Sequence, residues 1–431
     1  MGKHKVTRHH RNCADQKAGK RAEKKARRCA ERKARKLLQS PHFFNQFLLA
    51  VKKEGLVGEE QNALVLLVVV VSRILRYPLN VFVKGHSSAG KNFLVTRVLG
   101  LMPKNAVAEI TSASDKAWNY SGSDFRHRVV YVQEQNEAAG TIDPIRLLIS
   151  EQKLIRMVPR WVEGKIVTKK QVARGPVAAI STSTKNSLKI DDETRHISIW
   201  VDESPEQTRQ IAKSYTRQGE RLSRNEIRTW QMVHWLLQER VGIEVIFPKW
   251  FDKIPDRLPV KDVRVRRYYL AFVEACRTVC LIRSFQRHQE LTRHSKLELE
   301  FADFAITALI LDTAFVESLH LIGRGAVEDV RRLVKDISTA KGRPARAKDV
   351  ARTLRISMDQ AYSKLRYAEQ KGVIRRANKP EKSNRKLFLP APRPRFVPDP
   401  QKLFRKLKDF DKTVRFVHPL TGEWVIYRHD E

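Results

Sequence analysis

The sequence predicts an α/β domain organised around a largely parallel sheet, with flanking helical regions and a small helix–turn–helix module near the C-terminus. Three observations carry this. Short apolar runs at 81–83 (VFV), 129–132 (VVYV), 177–181 (VAAIS) and 197–201 (ISIWV) are separated by helical stretches and turns. Three of these runs show little alternation, as strands buried on both faces do. A glycine-spaced stretch, GHSSAGK at 85–91, directly follows the first run, and from Lys341 a pattern of two short helices around a turn begins.

The charge balance limits the partners. The 431 residues carry 84 Lys and Arg against 47 Asp and Glu, a formal charge of +37. So basic a surface repels itself unless it meets a polyanion, and nucleic acid is the expected partner. Residues 1–40 hold 15 basic and 3 acidic residues, and 341–431 hold 24 and 10, so both ends are richest in positive charge. Four cysteines, Cys13, Cys29, Cys276 and Cys280, are too few for a disulfide framework at this length. Cys276 and Cys280 are expected to share a buried helical face. His9, His10, Cys13 and Cys29 have no spacing that fits a compact zinc module. The apolar run at 63–71 is much shorter than the roughly 20 residues a membrane span needs, so it reads as a buried helix. No secretory signal is read at the start. The expectation is a soluble cytoplasmic protein without a membrane partner.

In order along the chain, 1–40 is a basic arm, disordered or helical, with too little apolar content to bury a core. Residues 41–78 form a helical element, broken near Gly55 and Gly58 and ended by Tyr77-Pro78. Residues 79–215 form the α/β domain and 216–340 a mostly helical one. Residues 341–392 carry the helix–turn–helix, and 393–431 are a tail whose RFVHPLTGEWVIY predicts a β-hairpin.

The stretch Gly85, His86, Ser87, Ser88, Ala89, Gly90, Lys91, Asn92 has the spacing of a phosphate-binding loop. Its backbone N–H groups would wrap phosphates, Lys91 would reach the β/γ oxygens, and the next helix would aim its positive end at them. The expected cofactors are ATP and Mg²⁺. The run 129–132 delivers Glu134 to a strand's C-terminal end, where it would polarise the attacking water or bind magnesium. The third run ends in Ser181-Thr182-Ser183-Thr184, and Thr182 is the candidate for a γ-phosphate or water contact. Arg195 is a candidate arginine finger, acting in its own site or a neighbour's. Magnesium is expected at Asn92 and Glu134. The usual magnesium ligands, a hydroxyl and a strand Asp, are replaced by the amides of Asn92 and Gln133. Glu137 follows close in sequence.

VGEEQNALVL (57–66), SRILRYPLNVFVKGHSSAGKN (72–92), HRVVYVQE (127–134), GPVAAISTSTK (175–185) and ETRHISIWVDESPEQTR (193–209) together resemble the AAA+-type, superfamily-3-like ATPase module of DNA primase and helicase proteins of phages, plasmids and other mobile elements. The resemblance covers about a third of the chain. It implies an α/β P-loop ATPase core with a mainly parallel sheet, ATP hydrolysis, assembly into a homo-oligomeric ring, and work on DNA. Primer synthesis would need a primase partner.

Two further segments point to DNA. The stretch 151–175 has seven basic residues and two acids, with Glu163-Gly164 between β-rich arms. It reads as a hairpin in which Arg160, Trp161, Lys165, Lys169 and Lys170 face DNA, Trp161 stacking on a base. The resemblance implies that this hairpin faces a DNA channel. Residues 345–390 read as a winged helix. Ser357 and Gln360 form a capping box. The second helix buries Ala361, Leu365 and Ala368, and Gly372 ends it. Gln360, Ser363, Lys364 and Arg366 are offered to the duplex, with Arg375, Arg376 and Lys386 beside the phosphates. Two readings follow: a helicase- or loader-like ATPase in mobile-element replication, or an ATP-gated DNA-binding protein that turns nucleotide over poorly.

Overall fold

The computed structural model describes residues 21, 23–110, 124–133, 142–162, 165–185, 190–216, 219–287, 291–292, 294–319, 326–370, 372–377, 386–392, 394–407 and 413–429. Most of the basic arm, Glu134 and Glu137 lie outside them. The chain divides into two compact units: 1–258 with 263–311 and 398–431, and 312–397 with 259–262.

In the first unit the apolar runs become strands of one parallel sheet. These are β1 (Asn80–Lys84), β2 (Val107–Ile110), β3 (Arg128–Val132), β6 (Val177–Ser183) and β7 (Ile197–Trp200), in the order β2-β3-β6-β1-β7. All five residues of β1 and all seven of β6 are buried, which explains their lack of alternation. Four strands coincide with the predicted runs. The fifth, β2, has the sequence VAEI and lies at the sheet edge, half covered and too short to read in advance.

Helices close both faces. The Lys91–Leu99 helix buries Leu94, Val95 and Val98. On the opposite face, Val130, Val132, Val177 and Ala179 pack with Ile145 and Leu148 of the Ile142–Ser150 helix. The Glu60–Ser72 helix is buried from Ala63 to Ser72, as its uniformly apolar sequence requires. Between β3 and β6 the chain makes a long hairpin of β4 (Lys153–Val162) and β5 (Lys165–Arg174), paired from Lys153↔Arg174 to Val162↔Lys165.

Further helices and a two-stranded parallel pair complete this unit. Cys276 and Cys280 are buried on the Val265–Arg283 helix. Arg283 and Arg287 both pair with the fully buried Asp303, an interior ionic node that helical periodicity could not reveal. The predicted C-terminal hairpin forms from Thr413–Val417 and Trp424–Arg428. Asn45 Nδ2 donates to His418 O at 3.3 Å and Pro419 O at 3.0 Å, fixing the hairpin turn to the Phe43–Lys53 helix.

In the second unit, helices Ala326–Lys341, Ala347–Leu354 and Met358–Gln370 pack on a three-stranded antiparallel sheet of Ala345–Arg346, Leu387–Pro390 and Ile374–Arg376. Val334, Val350, Ala361, Leu365, Ala368 and Phe388 form its core. The Ala326–Lys341 helix contributes to that core, so this unit begins upstream of the Lys341 boundary expected from sequence, and it ends at 397. The Ser357–Gln360 capping box is present, with both hydrogen bonds at 3.2 Å. Gly372 ends the helix with φ +70°.

Candidate nucleotide site

β1 ends at Lys84 and the chain turns at once into Gly85–Gly90. An added Cβ at Gly85 would lie 2.5 Å from Val201 Cγ2, so only glycine lets the turn pass this close to the end of β7. Gly90 takes φ +88° as the N-cap of the Lys91–Leu99 helix, again a glycine conformation. The loop therefore lies at the C-terminal edge of a parallel sheet and against a helix N-terminus, the two features that favour an anion. Lys91 is buried, and its Nζ donates to Gly85 O at 2.9 Å and His86 O at 2.6 Å. The ammonium is thus held inside the loop's own curve. His86, Ser87 and Ser88 are exposed.

Several charged neighbours were not foreseen. The Glu203 carboxylate accepts from the backbone N–H of His86 and pairs with its ring Nδ1. Burial opposes the charge on Glu203, but the His86 hydrogen bonds and Lys91 outweigh it and hold the carboxyl below its ordinary range. Lys84 is fully buried, ion-paired to Glu193, and its Nζ lies 4.8 Å from the centre of the Trp200 ring. A charged residue at the end of an apolar strand was the visible signal, but its partner lies 109 positions on, beyond the reach of local pattern. His196 stacks on Phe82 at 3.9 Å, its Nδ1 bonded to Asp192 O, and burial pushes it down to about 4.

The side of the loop where magnesium is expected carries amides. Asn92 is exposed, and its Oδ1 accepts from the hydroxyl of the fully buried Tyr131 at 3.3 Å. Gln133 Nε2 donates to Glu109 Oε1 at 2.7 Å. These are hard oxygen donors of the kind magnesium accepts, so the residues fit the ion. Among the described residues, no group of three or more His, Cys, Asp or Glu converges as a metal cluster.

The other predicted residues are dispersed. Thr182 is completely buried within β6, level with Val83 of β1, one residue short of the strand's end. Arg195 precedes β7, whose Ile197 pairs with Val81 and Trp200 with Lys84. That puts Arg195 at the N-terminal edge of the sheet, about 15–20 Å along the strands from the loop. Its guanidinium bonds to Ser150 Oγ at 3.0 Å and to Asp191 O. Arg195 therefore lies well along the strands from its own chain's loop.

On the hairpin, Trp161 is 75% exposed and Met157 64%. The register Met157↔Lys170 and Trp161↔Ile166 puts Met157, Trp161 and Lys170 at positions of one face. Arg160, Lys165 and Lys169 occupy the alternate positions, so the five predicted residues do not form one surface. In the second unit Gln360, Ser363, Lys364, Arg366, Arg375 and Lys386 are exposed on the Met358–Gln370 helix and its adjoining strands, and Gln360 also accepts the capping bond from the Ser357 N–H. Arg376 is tied to Glu369 at 2.8 Å, and Lys386 Nζ lies 5.8 Å from the Tyr362 ring centre.

A family model described as the MTBMA_p00010 P-loop domain matches residues 28–230. This region is an α/β P-loop domain. Comparison with curated proteins finds no match. Among solved structures, a full-length MCM homolog from Methanopyrus kandleri is similar at 10% identity and a TM-score of 0.42, over 67% of this chain. The chain spans 62% of that homolog's length. A protein assigned as an ATPase in Cytophaga hutchinsonii is similar at 10% identity and a TM-score of 0.35, over 66% of this chain and 87% of that one. NtrX from Brucella abortus is similar at 13% identity and a TM-score of 0.23, over 71% of this chain and 68% of that one. No helix among the described residues is long and apolar enough to cross a membrane.

Proposed function

We propose that the chain binds and hydrolyses ATP in a homo-oligomer and couples this to DNA, as a helicase- or loader-like protein in the replication of a mobile element. The observation that carries the reading is the loop itself: Gly85 and Gly90 shape it, and Lys91 is held within it at the C-terminal edge of a parallel sheet. Lys91 exchanges its two backbone carbonyls for β/γ-phosphate oxygens, and the loop N–H groups take the remaining charge. Asn92, with Gln133, would hold magnesium, and the ion would supply positive charge against that developing on the phosphates. Glu134 orients and deprotonates the attacking water, while Thr182, completely buried one residue short of the end of β6, supports that strand end rather than touching the γ-phosphate. Arg195, remote from its own loop, serves the site of the neighbouring subunit. That assigns two chains to each complete site.

DNA is held at three places in this reading: the basic arm, the hairpin face bearing Trp161 and Lys170, and the second unit acting as a winged helix. Its three helices and antiparallel sheet carry Lys364 and Arg366 on an exposed helix for duplex contact.

One observation favours a slower alternative. Asn92 and Gln133 are neutral where magnesium usually meets a hydroxyl and a carboxylate, which fits an ATP-gated DNA binder of low turnover. ATPase measurement on the purified protein with and without single- and double-stranded DNA separates the two. DNA-stimulated turnover supports the motor reading, and tight ATP binding with no turnover on any DNA supports the gated binder.

A further inference from the structure

We infer that Glu109 supplies the negative charge that the neutral Gln133 leaves out, making it a magnesium-site carboxylate donated by the edge strand. The inference rests on the P-loop reading and assigns a residue to that site which no sequence motif marks.

The geometry is built into the sheet register. β2 pairs with β3 in parallel, Glu109 opposite Tyr131 and Ile110 opposite Val132. Ala108 and Ile110 pack into the apolar layer with Val130 and Val132, so Glu109 belongs to the other face, the face of Tyr131. Tyr131 reaches across that face to Asn92 on the loop's helix. Gln133, one turn of the alternation beyond Tyr131, donates its amide N–H to Glu109 at 2.7 Å. Asn92, Tyr131, Gln133 and Glu109 thus form one polar stretch, running from the start of the loop's helix to the sheet edge.

Two consequences follow from this chain of contacts. Gln133 spends its donor on Glu109, which leaves its amide oxygen as an acceptor toward a cation or a cation-bound water. Glu109 is exposed, so its charge remains available to the ion rather than being consumed by a buried partner. The pair Gln133–Glu109 carries the same single negative charge as one strand carboxylate, with the charge moved one strand outward.

The test is nucleotide affinity with and without magnesium, measured by titrating a fluorescent non-hydrolysable ATP analogue into the full-length protein in Mg²⁺ or in EDTA. In the wild-type protein Mg²⁺ strengthens binding by about tenfold or more. Glu109→Gln, which keeps size and surface polarity, reduces that ratio to about threefold or less and leaves the EDTA affinity unchanged or higher, because a negative charge near the phosphates is removed. Glu109→Gln combined with Gln133→Asp returns the charge to β3 and restores the ratio. A ratio unchanged in Glu109→Gln overturns the inference while leaving the P-loop reading intact, as does a wild-type protein that binds nucleotide with no magnesium dependence. Absence of wild-type nucleotide binding in both buffers overturns the P-loop reading and this inference with it.

Discussion

Lys84→Met tests whether the interior ion pair beneath the loop holds the first unit together. Lys84 is 0% exposed and the Glu193 side chain 7%, so neither charge reaches bulk water. The methionine keeps most of the aliphatic volume and its contact with Trp200, but it leaves Glu193 buried without its cation. Breaking a buried pair from one side costs about 3–5 kcal/mol. Glu193→Leu alone removes the carboxylate from the buried ammonium and costs a similar amount. The double variant Lys84→Met/Glu193→Leu removes both charges, and the pair's replacement by apolar groups of like volume is close to neutral, so it recovers about 2 kcal/mol or more of the single-variant loss. The seven tryptophans all lie outside 312–397, so tryptophan fluorescence during urea unfolding reports the first unit alone. Single variants that unfold within about 1 kcal/mol of wild type, or a double variant no better than the worse single, refute the reasoning.

Glu134→Gln and Arg195→Ala each abolish turnover while ATP binding survives, and mixing the two variants restores part of the activity; failure of mixing to restore any activity removes the shared site. Asp349 accepts hydrogen bonds from Arg343, Lys341 and the Arg346 amide, with the Arg343 bond foremost in holding its carboxyl far below the ordinary range. A depressed folded-state value means that this stabilisation is complete above about pH 4 and is lost as pH falls further. Asp349→Asn therefore destabilises the second unit by about 1–2 kcal/mol at pH 7 and flattens its acid sensitivity, read from hydrogen exchange of amides at 347–354. Lys364→Ala with Arg366→Ala lowers duplex DNA affinity and reduces the salt slope by about two, with ATP affinity unchanged.

The sheet was legible in the sequence because its strands are buried on both faces and therefore uniformly apolar. β2 escaped because VAEI is short and lies at an edge, and its single polar residue gives no alternation to read. The loop was legible because its glycines and lysine are contiguous. What surrounds it was not: Glu193 comes from a helix to Lys84, Glu203 from the segment after β7 to His86, and Glu109 from the edge strand to Gln133, and no local period records such meetings. Arg195 shows the opposite failure. Its sequence context marked it as functional, but only the parallel register of β1 and β7 puts it at the far edge of the sheet. The hairpin was read correctly as a hairpin, and strand alternation then divided its basic residues between two faces.

Gly85–Asn92, with Lys91 held within it, is the proposed nucleotide loop. Isothermal titration of ATP into wild-type and Lys91→Ala protein tests it most directly. Affinity in the variant is expected to be at least about tenfold weaker, about 1.4 kcal/mol, because the lysine held inside the loop is gone. Equal affinity in the two proteins would contradict it.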